Sequence, residues 1–182
     1  MGTITLPRII LLGFMQLIEI DKARYRRHLN CVIAICILGL AVGSLTISQM
    51  LIALFPNDSG SHFHWNLLGV IVTCVLIGWQ LNRLRTHEFM TEVVYVWDLK
   101  QALNKINRKM EKLKAGGWKG DIEALNAIQF SYSGSRQLWQ LDDNTITMDE
   151  LVVHQAELDS IAKQYNVVLR AEDYDNKVLE RY

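Results

Sequence analysis

A chain of 182 residues, half of them hydrophobic, has material for one or two small cores. Its 19 basic residues balance its 19 acidic ones, which excludes a global field drawing nucleic acid, and no basic, aromatic-interleaved surface stands out. Cys31, Cys36 and Cys74 lie in or beside apolar runs without C-x-x-C spacing, so they read as small hydrophobes, neither ligands nor disulfide partners.

In chain order, Met1–Ile20 contains "RIILLGFM", apolar after Arg8 but too short to span a bilayer and without a small-residue cleavage site. It fits an interfacial segment on a membrane surface; equally, Met15 fits a natural start. Asp21 is an N-cap for "KARYRRHLN", which runs directly into the next stretch. Residues 32–55 then carry no charge and include thirteen Val, Ile, Leu or Phe, and residues 66–82 form a second uncharged run. At 1.5 Å per residue these runs reach roughly 36 Å and 25 Å, against a hydrocarbon core of about 30 Å. Insertion of the first, at about 0.3–0.6 kcal/mol per large apolar residue, outweighs its single Gln49. Trp65 and Trp79 near the ends of the second suit the headgroup zone. A buried hairpin in a soluble protein is the competing reading, disfavoured by the unbroken first run.

Residues 56–65, between the runs, contain no Lys or Arg. Lys22, Arg24, Arg26 and Arg27 precede the first run, and Arg83 and Arg85 follow the second. Cations flanking spans stay cytoplasmic, so both termini are expected inside and the loop outside, with the basic cluster at the inner leaflet among anionic lipids. Within the loop, "HFH" puts His62 and His64 on one side of an extended segment, with Asp58 nearby as a third ligand for a metal. A solvated turn accounts for the same residues, and no metal is expected.

From Arg83 the pattern predicts a helix of about thirty residues. Val96, Leu99, Leu103, Ile106, Met110 and Leu113 recur at spacings of 3, 4, 3, 4 and 3, an a/d seam. "GGWKG" ends it, and Asp121 caps a second helix with Ile122, Leu125, Ile128 and Tyr132 on one face, bending or breaking at Gly134. "DDNT" is a turn. Thr147 and Glu150 form a capping box for a third helix lined by Leu151, Leu158, Ile161 and Tyr165. Residues 166–182 suggest a short turn and a final helix. The seam is too short for a stable coiled coil, so packing within a small bundle is favoured over a parallel dimer. Residues 83–114 hold eight basic and four acidic side chains; residues 115–182 hold six and twelve. The basic end is thus expected beside the membrane and the acidic part away from it.

Gly39 and Gly43 form a GxxxG pattern in the first run, with Ser44 and Ser48 adding a small face. Gly69/Thr73 and Cys74/Gly78 repeat the spacing in the second, favouring packing between the two spans, with self-association as the alternative. Apart from the cysteines, neither span carries an ionisable residue, which argues against a transporter or proton channel. "DDNTITMDEL" lacks the glycine and the distant carboxylate of a calcium loop. No catalytic motif occurs, and His87 and His154 stand alone on predicted helices, so no catalytic, cofactor or metal residue is nominated.

The strings "IEIDKARYRRHLN", "VYVWDLKQALNKINRKM" and "LDDNTITMDEL" resemble a family of small bacterial inner-membrane proteins of unknown function, with two spans and a cytosolic helical tail. The resemblance covers residues 15–169, which favours Met15 as the start. It implies an inner-membrane location and carries no activity. The expected protein is all-α: residues 1–31 an N-terminal segment, 32–55 and 66–82 the transmembrane hairpin, 56–65 its external loop, and 83–182 a cytosolic bundle or coiled-coil-like tail. Its expected role is non-enzymatic: an adaptor, assembly or regulatory subunit. Its partners are the lipid bilayer and either another protein or a second copy, without nucleic acid, cofactor or identified small-molecule substrate. A small oligomeric channel gated by the tail is the alternative.

Overall fold

The structure is a computed structural model describing residues 15–56, 62–144 and 148–182. Among the described residues the chain is mainly helical, with no strand. Seven α-helices follow in order: α1 Lys22–Leu54, α2 Phe63–Leu84, α3 Thr91–Asn107, α4 Met110–Gly117, α5 Ile122–Asp142, α6 Met148–Gln164 and α7 Val178–Arg181. Short 3-10 turns occupy Glu88–Met90 and Ala171–Asp173. The chain divides into two compact units, Asp21–Val94 and a second comprising Tyr95–Tyr182 with the segment ending at Ile20.

In the first unit α1 and α2 form a hairpin. Asp21 starts α1 as expected, its Oδ1 accepting the amides of Ala23 and Arg24 at 2.8 and 3.2 Å. Phe55 leaves helical geometry directly before Pro56, whose ring disfavours a helical predecessor. The second helix is longer than its uncharged core, because Phe63, His64 and Trp65 belong to α2, not to the loop, and so do Arg83 and Leu84. Its 22 residues reach roughly 33 Å, so both helices are long and apolar enough to cross a membrane. Their large side chains, among them Ile35, Leu38, Val42, Leu45, Val75 and Leu76, are exposed.

The hairpin closes through small residues. A Cβ built on Gly43 would lie 2.7 Å from Thr73 Cγ2, and one on Gly69 would overlap Ser48 Oγ and approach the Ser44 carbonyl to 2.9 Å. Backbones approach that closely only where side chains are missing. Gly39 is looser, at 3.7 Å from Ile77 Cδ1, and Gly78 faces open space. Hydroxyls along the spans turn back on their own helices: Thr46 Oγ1 donates to Val42 O and Thr73 Oγ1 to Gly69 O, both at 2.7 Å. That satisfies the hydroxyl hydrogens within each helix.

The helix expected to run on from Arg83 is interrupted twice. After α2 the chain makes a turn in which the His87 side chain accepts the Phe89 amide at 3.2 Å, and α3 starts only at Thr91. At Arg108 and Lys109 a tight i→i+3 bond from Lys109 N to Ile106 O separates α3 from α4. Such a turn preserves the alternation of spacings, which is why the seam concealed it.

In the second unit α5 is the central element, with Leu125, Ile128 and Phe130 fully buried. It runs unbroken through Gly134: a Cβ there would sit 3.1 and 3.2 Å from Leu103 and Leu99 of α3, so the glycine makes room for the seam. Gly120, at φ +93°, makes the turn into the Asp121 cap, whose Oδ1 accepts the amides of Glu123 and Ala124. Residues 166–182 fold back onto α5: Tyr174 stacks on Phe130 at 4.6 Å, and Arg170 N donates to Asn126 Oδ1. Thr147, the expected capping residue of α6, lies outside the described residues, as do Asp58 and the first fourteen residues. Residues 15–20 are not helical.

Candidate functional site

Within the hairpin unit, one cluster lies at the base of α1. Arg24 and His28 are four residues apart and share a face. Both reach Glu92 at the start of α3: Arg24 Nε meets Oε1 at 2.8 Å, and His28 Nδ1 lies 3.3 Å from Oε2. The Phe89 ring covers the imidazole at a centroid distance of 4.2 Å. Glu92 and His28 are only 8% exposed, beside buried Tyr25 and Met90. A carboxylate removed from water persists there because a cation and an imidazole meet both of its oxygens. The cluster pins the first turn of α3 one helical turn from the start of the uncharged run.

Within the second unit the segment before α1 is held as an extended strap. Tyr95 Oη accepts the Ile18 amide at 2.9 Å and donates to Gln137 Oε1 at 3.0 Å, while Gln137 Nε2 donates to the Ile18 carbonyl. Burial raises the Tyr95 pKa, only partly opposed by the Ile18 amide and Gln137, so the phenol stays protonated and available as a donor. The interfacial segment expected for Met1–Ile20 is not helical over residues 15–20, where the Ile18 N–H and carbonyl are met by Tyr95 and Gln137. A further clamp joins the two ends of the same unit. Tyr182 Oη donates to Asp121 Oδ2 at 2.6 Å, Arg181 pairs with Glu123, and Lys109 Nζ donates to Leu179 O. Burial works against the Asp121 carboxylate, but the Tyr182 hydroxyl, two amides and the Arg181 charge hold its pKa below the ordinary value. The bond to Asp121 raises that of Tyr182.

A fourth cluster joins α4, α5 and α6. Tyr132 is buried, its hydroxyl without a hydrogen-bond partner among the described residues, and burial raises its pKa against the charge of Lys114. Lys114 Nζ lies 4.0 Å from Glu157 Oε2, and the His154 ring faces Tyr132 at 6.1 Å. At the other end of the hairpin, His62 is the residue before α2 and His64 lies within it, so the extended H-x-H geometry is not realised. Residues two apart on a helix diverge by roughly 200°, and His64 instead meets Trp65 at 4.8 Å. Among the described residues no group of three or more His, Cys, Asp or Glu is placed to hold a metal.

The residues singled out from sequence fall as follows. Gly39 and Gly43 face α2. Val96, Leu99, Leu103, Ile106 and Leu113 are buried in the helical unit or at its edge, and Met110 is half-buried at the break. Of the basic cluster, Arg24 is engaged by Glu92, Arg83 lies over Trp79 at 5.8 Å, Arg27 is exposed, and Lys22, Arg26 and Arg85 have contacts of their own. Glu92, His28, Tyr95 and Gln137 were not singled out. The i, i+4 spacing of Arg24 and His28 was a readable hint of an acidic partner, whereas nothing local joins Tyr95 to Gln137.

Residues 15–179 match the profile of DUF3087, a protein of unknown function. The chain belongs to that family. No curated protein and no solved structure matches it. The matched residues take in both long apolar helices, α1 and α2, and most of the helical unit built on α5.

Proposed function

We propose that this family member is a non-enzymatic inner-membrane protein: the α1–α2 hairpin is the anchor, and the helical unit is a cytosolic module for a protein partner or a second copy. The observation that carries this reading is the contrast in what the two units bury. The hairpin leaves large apolar side chains outward and packs through Gly43, Gly69, Ser48 and Thr73, as a lipid-embedded pair does. The helical unit instead turns its large apolar residues inward, seam included. In each unit the well-placed polar groups are spent on holding elements together: Glu92 on α1 in the hairpin unit, and Tyr95 and Gln137 on the strap and Asp121 on Tyr182 in the helical unit. That use fits a scaffold better than an active centre. The basic flanks Lys22, Arg24, Arg26, Arg27, Arg83 and Arg85, against a loop whose residues 56–65 lack Lys and Arg, support cytoplasmic termini.

Affinity purification from native membranes with mass spectrometry, joined to stoichiometry in nanodiscs, tests the proposal. A monomer or dimer co-purifying with a defined protein, or a specific homodimer, is the expected result. A ring of five or more copies would replace it with the channel reading. Thiol labelling of cysteines placed at residues 59 and 163 sets the sidedness; labelling of 163 from outside would overturn it.

A further inference from the structure

We propose that the outer face of α3 is a docking surface for anionic phospholipid headgroups of the leaflet from which α2 emerges. The inference rests on the membrane-anchored reading above and adds a recognition surface to it. On α3, with a 100° step per residue, Trp97, Gln101 and Asn104 form one stripe flanked by Lys100 and Lys105, and Arg108 follows in the turn just beyond the helix; all six are exposed. No carboxylate falls within that stripe. Asp98 lies at its margin, half-buried and engaged elsewhere, and Lys100 has Asp142 at 3.3 Å. Trp97 is 61% exposed, an unusual position for an indole on a charged helix unless an amphipathic phase receives it.

Charge supplies the complement. Residues 115–182 carry twelve acidic against six basic side chains, so the rest of the helical unit is repelled by an anionic surface while this stripe is drawn to one. Reach supplies the proximity. Only residues 85–90 separate α2 from α3, and within the hairpin unit Glu92 is held against Arg24 and His28, about one turn from the uncharged run. Trp97 follows Glu92 by five residues of the same helix, roughly 7.5 Å of rise. A soluble protein partner would be met equally well by a mixed-charge face; a carboxylate-free stripe beginning in tryptophan favours lipid.

The test uses the full chain in nanodiscs, with Cys31, Cys36 and Cys74 replaced by alanine. A fluorophore is attached at Gln101→Cys or, as a control on the acidic part, at Val153→Cys. Discs of phosphatidylcholine alone are compared with discs containing phosphatidylglycerol, each with a headgroup-level quencher lipid. The expected result is strong quenching at position 101 in the anionic discs, several-fold weaker in neutral discs or high salt, and little at 153 in either. Changing Lys100, Lys105 and Arg108 to glutamine should abolish the difference while helical circular dichroism stays unchanged, each lost charge lowering the docked-to-undocked ratio roughly five-fold. Equal quenching in both lipids, no quenching at 101, or crosslinking of position 101 to a protein in native membranes would overturn the proposal. Failure of the chain to enter nanodiscs at all would overturn the anchor reading with it, a result distinct from insertion without quenching.

Discussion

The hairpin and the helical unit use the same helical period for opposite ends. In the helical unit the periodic residues point inward: Leu99, Ile106, Leu113, Leu125 and Leu158 are fully buried. In the hairpin the large residues point outward, and what lies between the helices is small: Gly43, Ser48, Gly69 and Thr73. Water drives apolar groups together in the first case; in lipid, where the proposed anchor would sit, that drive is absent, and close backbone approach with dispersion takes its place. Equal leucines should therefore have unequal weight. Leu99→Ala is expected to destabilise the helical unit by about 2–5 kcal/mol, the usual cost of a buried leucine deletion. Leu45→Ala, on the exposed face of α1, is expected to change little. Thermal melts by circular dichroism in nanodiscs compare the two, and equal losses would break the contrast.

The reverse substitution inverts the ranking. Gly69→Ile inserts a side chain where Ser48 and the Ser44 carbonyl already stand, and overpacking of this kind costs about 1–3 kcal/mol. The hairpin should splay, lowering the yield of a disulfide engineered between α1 and α2. Gly43→Ile should do the same against Thr73, Gly39→Ile less, and Gly78→Ile not at all, because it faces open space. An unchanged yield for Gly69→Ile would remove the small-residue account.

Between the two extremes is the Glu92 cluster, where a polar contact takes the role of packing. Glu92→Ala leaves His28 buried without its acceptor and Arg24 without its pair, and the expected loss is about 1–3 kcal/mol. Its signature is local: faster amide exchange in the first turn of α3, with the core of α5 unaffected. Exchange unchanged at residues 91–95 would show that the cluster does not hold that turn.

How much of this was legible depended on range. The caps at Asp21 and Asp121 were readable because a carboxylate bonds amides two and three residues on. The two long helices were readable from composition, and the seam from its spacing. The breaks after α2 and at Arg108–Lys109 were hidden because neither contains Gly or Pro, and a 3-10 turn keeps a three-then-four rhythm intact. Gly134 misled for the opposite reason: a residue that usually interrupts a helix serves here as clearance for Leu99 and Leu103. The strap and the Glu92 cluster join residues 77 and 64 positions apart, and no local pattern encodes such pairs.

The smallest expected effect belongs to the Asp121 clamp, and its sign follows from the carboxyl group. Asp121 titrates below its ordinary value in the folded chain, so the unfolded chain binds its proton first as pH falls. The stabilisation is therefore complete above the usual carboxylate range and is lost as pH drops through the depressed folded value. Losing it removes both the N-cap of α5 and the acceptor of the Tyr182 hydroxyl. Asp121→Ala should cost about 1 kcal/mol through the cap and free residues 178–182 to exchange at neutral pH. Tyr182→Phe deletes the same bond and should likewise speed exchange of residues 178–182 at neutral pH; it leaves the cap intact there, and the acid weakening of that cap should move to higher pH, since the lost bond favoured the ionised carboxylate. If exchange of residues 178–182 ran at the same rate in both variants and the parent chain from neutral pH downward, the clamp would be a contact without weight, and α7 would be held by Val178 and Leu179 in the core alone.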